Sequence, residues 1–276
     1  MAHCVVKEAE QVLDKEITVL DRGFVRLVDY MGGDERIVAS ARVSYGKGTK
    51  TFRQDRGLIH YLLRNDHTSP FEQVVFTFHA KMPIFVARQW IRHRTARVNE
   101  ISGRYSVLRD EFYVPDEADV AYQSDDNKQG RSAEPAPKSV QRETVDLLLA
   151  GQQQAYADYQ RLIGNNIARE LARINLPLSL YTEWYWQIDL NNLFHFLRLR
   201  MDPHAQREIR AYADAIHDLA RKVCPIAFEA FDDHIKGSVR LSSKEAEAVR
   251  AMLKGEGVSL DDRERRILAE KLNTEL

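Results

Sequence analysis

Apolar and polar residues alternate along a few stretches of this chain and recur at helical spacing along most of the rest. After an Asp21-Arg22-Gly23 turn, Phe24, Arg26, Val28 and Tyr30 alternate with Val25, Leu27 and Asp29, which predicts a strand pair over Ile17 to Tyr30. Residues 1–15 read as a loose or helical lead-in. Gly32-Gly33 ends the pair, and Asp34 is placed to cap a helix through Ser44. Gly46 to Lys50 reads as a flexible loop, and Leu58, Ile59, Tyr61 and Leu62 form the stripe of a helix ending near Asn65. Val74, Phe76, Phe78 and Ala80 then alternate with Val75, Thr77, His79 and Lys81, the pattern of a half-buried strand. Pro83 fits the first position of a helix on which Arg88 and Arg92 share a face. Asn99, Ser102 and Gly103 break that periodicity as a loop.

Residues 116–140 are poor in apolar side chains and rich in turn formers, and they read as a mobile surface insertion. Leu147, Leu148, Tyr156, Tyr159, Leu162 and Ile163 mark a long helix broken near Gly164; Ile167, Leu171 and Ile174 carry the stripe on to Pro177. There Arg169 and Arg173 share a face, with Glu170 a partner for Arg173. Trp184, Trp186 and Ile188 alternate with Tyr185 and Gln187 as a short strand. Asn191 to Arg200 is helical, and Asp202-Pro203 has the form of a helix start. The stripe Ile209, Tyr212, Ala213, Ile216, Leu219 and Val223 runs on to Cys224-Pro225. Beyond Gly237 come two charged amphipathic helices, the first capped by Ser242 with Glu245, the second by Ser259 or Asp261.

Composition narrows the classes. With 276 residues, 44% of them hydrophobic, the chain can bury a large core in one large domain or two small ones. Its 40 basic and 41 acidic residues leave a net charge of −1, against a dedicated nucleic-acid binder. The two cysteines, Cys4 and Cys224, make no disulfide framework. No secretory leader is evident, and no apolar run approaches the ~18 residues of a membrane helix, so a soluble, cytoplasmic protein is expected. The nine histidines show no metal-ligand spacing, and no metal site is expected.

Against this neutral background, Arg88 to Arg109 concentrates six arginines (88, 92, 94, 97, 104 and 109) around one acid, Glu100. Guanidinium forks match phosphate and carbonyl oxygens. A solvated basic face is the plain alternative, but Ile84, Phe85, Val86, Trp90 and Ile91 surround these arginines with more apolar bulk than such a face carries.

The run Arg92-His93-Arg94, seven residues, then Ser102 resembles the signature of the flavin-dependent thymidylate synthases, which make dTMP from dUMP. The segment His67-Thr-Ser-Pro-Phe-Glu72 is similar to that family's H-x-T-P-F-E, with Ser69 in place of threonine. Ala172-Arg173-Ile-Asn-Leu-Pro177, Leu180-Tyr181-Thr182 and Phe196-Leu-Arg-Leu-Arg200-Met-Asp-Pro-His204-Ala-Gln206 match further family segments in the same order, so the resemblance spans about Ile17 to Phe231.

The resemblance implies an α+β fold, a mixed or antiparallel sheet flanked by long helices, in a domain over residues 1–236. Residues 237–276 then form a charged helical extension. It also implies FAD as cofactor, with NADPH and methylenetetrahydrofolate as co-substrates, and a homotetramer whose subunits share each active site. Neither a nucleic-acid nor a membrane partner is expected. On substrate dUMP it places Gln89, Arg92, Glu100, Ile101, Ser102, Gly103, Arg104, Arg173 and Arg200, with Arg200 as the cation that polarises the uracil ring. On the flavin it places Ser69, Arg92, His93, Arg94, Glu100, Asp189, Asn191 and His195. The pattern departs at Asp189 and Asn191, where the family has asparagine and arginine; an acid near a diphosphate repels it unless paired. The absence of a G-x-G-x-x-G or Walker loop fits a site assembled from separated elements. The folate-only synthases need a nucleophilic cysteine in a P-C-H-type setting, which neither Cys4 nor Cys224 offers. The rival from another class is a nucleic-acid binder using the 88–109 arginines; it would carry no flavin.

Overall fold

Three nine-residue strands supply the frame of this chain. The computed structural model describes residues 4–45, 52–125 and 129–274, in two units, 1–230 and 231–276. The loop expected at Gly46 to Lys50 lies outside the described residues. A short helix, α1 (Lys7–Glu10), precedes β1 (Ile17–Val19) and β2 (Gly23–Met31). Next come α2 (Asp34–Ala41), α3 (Phe52–Arg64), β3 (Val75–Pro83), α4 (Ile84–Trp90) and β4 (Arg97–Glu100). A small hairpin of β5 (Ala121–Gln123) and β6 (Arg131–Pro135) leads into α5 (Lys138–Gly164) and α6 (Arg169–Ala172). β7 (Tyr181–Asp189), α7 (Leu190–Arg200), α8 (Arg207–Val223) and α9 (Pro225–Phe231) follow. The five-stranded sheet has the order β1-β2-β3-β7-β4 with every pair antiparallel. The α+β expectation therefore holds, with an antiparallel sheet.

Period-two patterning decides which face is buried. Phe76, Phe78, Ala80 and Met82 of β3 and Trp184, Trp186 and Ile188 of β7 are buried on one face; Thr77, Lys81, Glu183, Tyr185 and Gln187 line the other. On the buried face Trp90 of α4 packs edge-on to Trp184 and Trp186, at centroid distances of 5.4 and 5.1 Å. It also meets Phe196 of α7 and Tyr212 of α8. In β2 the register shifts between Leu27 and Asp29, a bulge that turns the strand over. Val25 and Leu27 are buried before it and Tyr30 after it, so the expected even-odd partition changes sides at Val28. Gly23 is required where β2 begins: a Cβ there would lie 2.0 Å from the Tyr212 hydroxyl, which donates to Lys81 O at 2.8 Å.

Several local expectations change. Pro83 is the N-cap of α4 rather than its first residue, and the helix stops at Trp90. Arg92 therefore lies in the turn beyond, not on a helical face with Arg88. Asn99 lies in a strand, not in the loop. Asp34 makes no cap bond to its own helix; its carboxylate accepts from the N–H groups of Ile226 and Ala227 at 2.8 and 3.0 Å and so closes the start of α9. The aromatic strand β7 runs to nine residues, because β3 and β4 flank it on both edges. Asp202 does not start a helix: it accepts from His204 N at 2.8 Å in the turn that separates α7 from α8, and α8 starts at Arg207.

The described part of the 116–140 insertion contains a paired hairpin. Arg131 ties it down by donating to Asp119 O at 2.8 Å and to Glu208 at 2.5 Å, and Arg207 pairs with Asp119. Burial opposes charge on Glu208, yet Arg131 holds its carboxyl below the usual carboxylate range. In the second unit, α10 (Ser243–Lys254) and α11 (Asp262–Leu272) each start with a capping box, Ser242 with Glu245 and Asp261 with Glu264. Asp261, not Ser259, is thus the second cap. Lys244–Glu264 and Lys271–Glu245 pairs, both 2.6 Å, link the two helices.

Candidate active site

The C-terminal ends of α4 and α7 bring the first group of candidates together. Arg200, at the end of α7, donates from Nε to His93 Nε2 at 3.0 Å and from Nη2 to Gln89 O at 3.1 Å. An acceptor at Nε2 means that the neutral His93 ring carries its proton on Nδ1. Burial, then Arg200 and His195, push the His93 pKa down to about 4, so the ring stays an acceptor at neutral pH. His195 is lowered too, by burial and by Arg198 and Arg200. The two imidazoles sit 5.5 Å apart, with Phe196 5.0 Å from His93. Gln89 spends its side-chain amide on Gln206, a residue quoted in the motif but given no role there. Burial and Arg92 both lower the Arg200 pKa, which puts Arg92 within electrostatic reach. Of the five N–H donors a guanidinium carries, two are held by the described residues of the chain and three have no partner among them.

The second group gathers on the loop after β4. Glu100 pairs in register with Trp184 of β7, and Ile101 N donates to Glu183 O at 2.9 Å, so the sheet edge fixes where the loop departs. Ser102 Oγ accepts weakly from Arg104 N at 3.4 Å, and Tyr105 N donates to Ser102 O at 3.1 Å. Gly103 is buried, and a Cβ on it would meet Leu108 Cδ1 at 2.8 Å, so a larger residue there would displace the Leu108 side chain. Arg104 pairs with Glu170 at 3.3 Å, which corrects the Glu170–Arg173 pair expected from spacing. Arg169 donates to Tyr105 O at 3.2 Å. Arg173, in the turn after α6, has no ion-pair partner among the described residues. Arg104 and Arg169 thus meet on one loop, and Arg169 is a member to which the motifs gave no role.

The flavin candidates lie along α7 and its approach. Asn191 and His195 are four residues apart, on the side of α7 that Leu193, Phe194, Phe196 and Leu197 leave uncovered. Ser69 is exposed in the turn ahead of Phe71, whose ring packs 6.1 Å from Phe194 of α7. Asp189 is the N-cap of α7, its two oxygens accepting from Asn192 N at 3.0 Å and Asn192 Nδ2 at 2.7 Å. Arg92 and Arg94 are exposed and have no ion-pair partner among the described residues. Likewise, no hydrogen bond among the described residues joins the Arg200 group to the Ser102–Arg104 loop.

Residues 26–226 match the family described as "Thymidylate synthase complementing protein", and residues 239–275 match "Thymidylate synthase ThyX C-terminal domain". A flavin-dependent thymidylate synthase of Treponema denticola is 62% identical over 262 residues, covering 95% of this chain and 98% of that one. Its counterpart in Treponema pallidum is 59% identical over 276 residues, 100% of this chain and 90% of that one. Among solved structures, the UMP/dUMP methylase PolB of Streptomyces cacaoi bound with 5-Br dUMP superposes with a TM-score of 0.72. It is 33% identical and covers 80% of this chain and 99% of that one. Matched over most of its length, and built around the arginine, histidine and serine groups described above, this chain belongs to the flavin-dependent thymidylate synthase family.

Proposed function

We propose that the protein converts dUMP to dTMP, with methylenetetrahydrofolate as carbon donor and FAD, re-reduced by NADPH, as hydride source. The observation that carries the reading is the Arg200 guanidinium, fixed by His93 and Gln89 with three donors left over. Those donors suit the carbonyl and imide of a uracil ring, where a fixed cation stabilises negative charge as it develops. Arg92, beside it, adds a second positive charge. The dUMP phosphate dianion is assigned to Arg104 and Arg173, with the backbone N–H groups of Ser102 and Gly103. Neither of those N–H groups donates to another described residue. Ile101 and Glu100 border that loop and complete the nucleotide contacts.

The donor set fits a flavin. Arg92 and Arg94 have cationic side chains free for a diphosphate; Ser69, Asn191 and His195 offer neutral hydrogen-bonding groups, and His93 lies at the junction with the nucleotide. FAD, when bound, supplies the two electrons that reduce the transferred carbon. The chain's own part is to hold the ring and phosphate, to keep His93 neutral and to place Arg200.

Two observations favour a homotetramer with shared sites. Among the described residues of one chain, no hydrogen bond joins the groups assigned to the uracil and to the phosphate. Large apolar side chains also stand exposed along α6 and the chain that follows it: Leu171 at 58%, Ile174 at 73% and Leu178 at 63%. A patch of that kind marks a surface covered by another chain. No helix among the described residues is long and apolar enough to cross a membrane, and we place the enzyme in the cytoplasm. The test is an absorbance scan of the purified protein with and without dUMP, followed by assay of dTMP formation with folate and NADPH. A colourless protein that forms no dTMP after FAD is added would overturn the reading.

A further inference from the structure

Glu100 is the one acid among the arginines of the signature, and it sits on an edge strand whose four residues are all exposed. A glutamate in such a place has several side-chain rotamers open to it, and its carboxylate has no fixed direction. Here the direction is set. Glu100 pairs with Trp184, so its side chain leaves the sheet on the face that carries Trp184 and α4. Two residues earlier on β7, on that same face, Thr182 donates from Oγ1 to Glu100 Oε1 at 2.5 Å.

Thr182 is suited to this task. It is 6% exposed, in register with Met82 of the central strand β3, and β-branching restricts its χ1. A rigid donor in the middle of the sheet thus anchors a carboxylate at its rim. Among the described residues Oε2 of Glu100 has no partner. With Oε1 occupied, Oε2 is the oxygen left to accept from an N–H or O–H of a ligand.

We infer that Thr182 is a positioning residue: its hydroxyl aims the Glu100 carboxylate so that Oε2 accepts from an N–H or O–H of the bound nucleotide or flavin. This rests on the assignment of Glu100 to the active site. The competing role is a structural one, in which the same bond merely pins β4 to β7.

The experiment uses the FAD-loaded enzyme and compares Thr182→Val, Thr182→Ala and Thr182→Ser, alone and in the Glu100→Ala background. KM for dUMP, the flavin dissociation constant and the melting temperature are read for each. Val and Ala remove the hydroxyl at different volumes, so a packing defect in one does not decide the result. Loss of a hydrogen bond to a charged group predicts a rise of about ten-fold in either the dUMP KM or the flavin dissociation constant. The constant that moves tells which ligand Oε2 meets. Ser keeps the hydroxyl and stays within about two-fold of wild type. In Glu100→Ala, where there is nothing left to aim, Thr182→Val adds less than about two-fold, a coupling expected only of residues that act together. The inference is overturned if Val and Ala leave both constants at the wild-type value, or if their effect persists undiminished without Glu100. If Glu100→Ala alone changes neither constant nor turnover, the assignment of Glu100 itself fails, an outcome separate from the first.

Discussion

Arg200 is held by two bonds within its own chain, and that arrangement gives a quantitative expectation for its replacement. In Arg200→Lys the charge stays near the ring site, but a single ammonium at the end of a flexible stem replaces a planar fork. One nitrogen cannot hold both His93 Nε2 and Gln89 O, which the wild type reaches at 3.0 and 3.1 Å from different nitrogens, and still meet the uracil. Loss of a donor aimed at developing charge costs about 2–4 kcal/mol in the barrier, or about 30- to 1000-fold in rate. Arg200→Ala should lie at the severe end of that range, and Lys should recover part of it. His93 offers a control, since His93→Gln keeps an acceptor for Arg200 Nε and His93→Leu does not. Gln should therefore stay closer to wild type than Leu. The assay is steady-state dTMP formation at saturating FAD, with the flavin spectrum recorded to show that cofactor is retained. Arg200→Ala turning over within about three-fold of wild type would refute the reasoning. So would a pH–rate profile with a His93 ionisation near 6.5, since its burial and cationic neighbours place that ionisation at about 4.

Three further outcomes are expected. Ser102→Ala should keep measurable dTMP synthesis with a raised KM for dUMP, because among the described residues the Ser102 hydroxyl bonds only Arg104 N and no base lies within its hydrogen-bond reach; a trapped Ser102–nucleotide adduct would contradict this. Asp34, with its pKa raised by burial to about 6, binds a proton more tightly when folded. Its contribution to stability is full below about pH 4 and lost as pH rises through about 6, an amount of about 2–3 kcal/mol. Melting temperatures between pH 4 and 7 should fall with pH in wild type and less steeply in Asp34→Asn; equal slopes would remove Asp34 as the cause. Light scattering should give a tetramer, and mixed tetramers of Arg104→Ala and Arg200→Ala chains should regain activity that neither variant has alone, whereas sites built within one chain regain none.

What the sequence made legible follows physical rules of unequal reach. Alternation over Val74 to Lys81 named β3 because Phe76, Phe78 and Ala80 are buried on one face and Val75, Thr77 and Lys81 on the other are not, and the stripe over Ile209 to Val223 named α8 for the corresponding helical reason. Edge strand β4 carried no such signal: Arg97, Val98, Asn99 and Glu100 are all exposed, and they form a strand because the rim of β7 offers unpaired backbone groups. The end of α4 was hidden too, since no glycine or proline follows Trp90 until Gly103. Two turns close it, Ile91 N to Ala87 O at 2.9 Å and His93 N to Trp90 O at 3.0 Å. The hairpin at 121–135 looked unstructured because ion pairs and hydrogen bonds hold it, where composition registers only the lack of apolar mass. Within the site, motif order located Arg200, His93 and the Ser102 loop. It did not show that Arg200 leans on His93, that Arg169 bonds the loop after Ser102 or that Thr182 holds Glu100, because these are contacts across 64 to 107 residues of chain.

The acid at position 189 brings these scales together. Read as a string, Asp189 conflicts with a neighbouring diphosphate, because like charges repel wherever water does not screen them. In the fold its two oxygens are committed to Asn192 N and Nδ2, and it lies at the start of α7, where the helix presents unpaired N–H groups and a partial positive charge. An acid placed there is partly neutralised by the helix it caps, so its repulsion of a nearby anion is reduced. The same bonds leave its oxygens with less capacity for a flavin hydroxyl. On the flavin assignment proposed above, contacts at this end of the cofactor would fall to Asn191 and to the backbone, and the charge of the diphosphate to Arg92 and Arg94. Removing the cap in Asp189→Ala should therefore loosen flavin binding by fraying the first turn of α7, and Asp189→Asn, which can still accept from Asn192 N, should not.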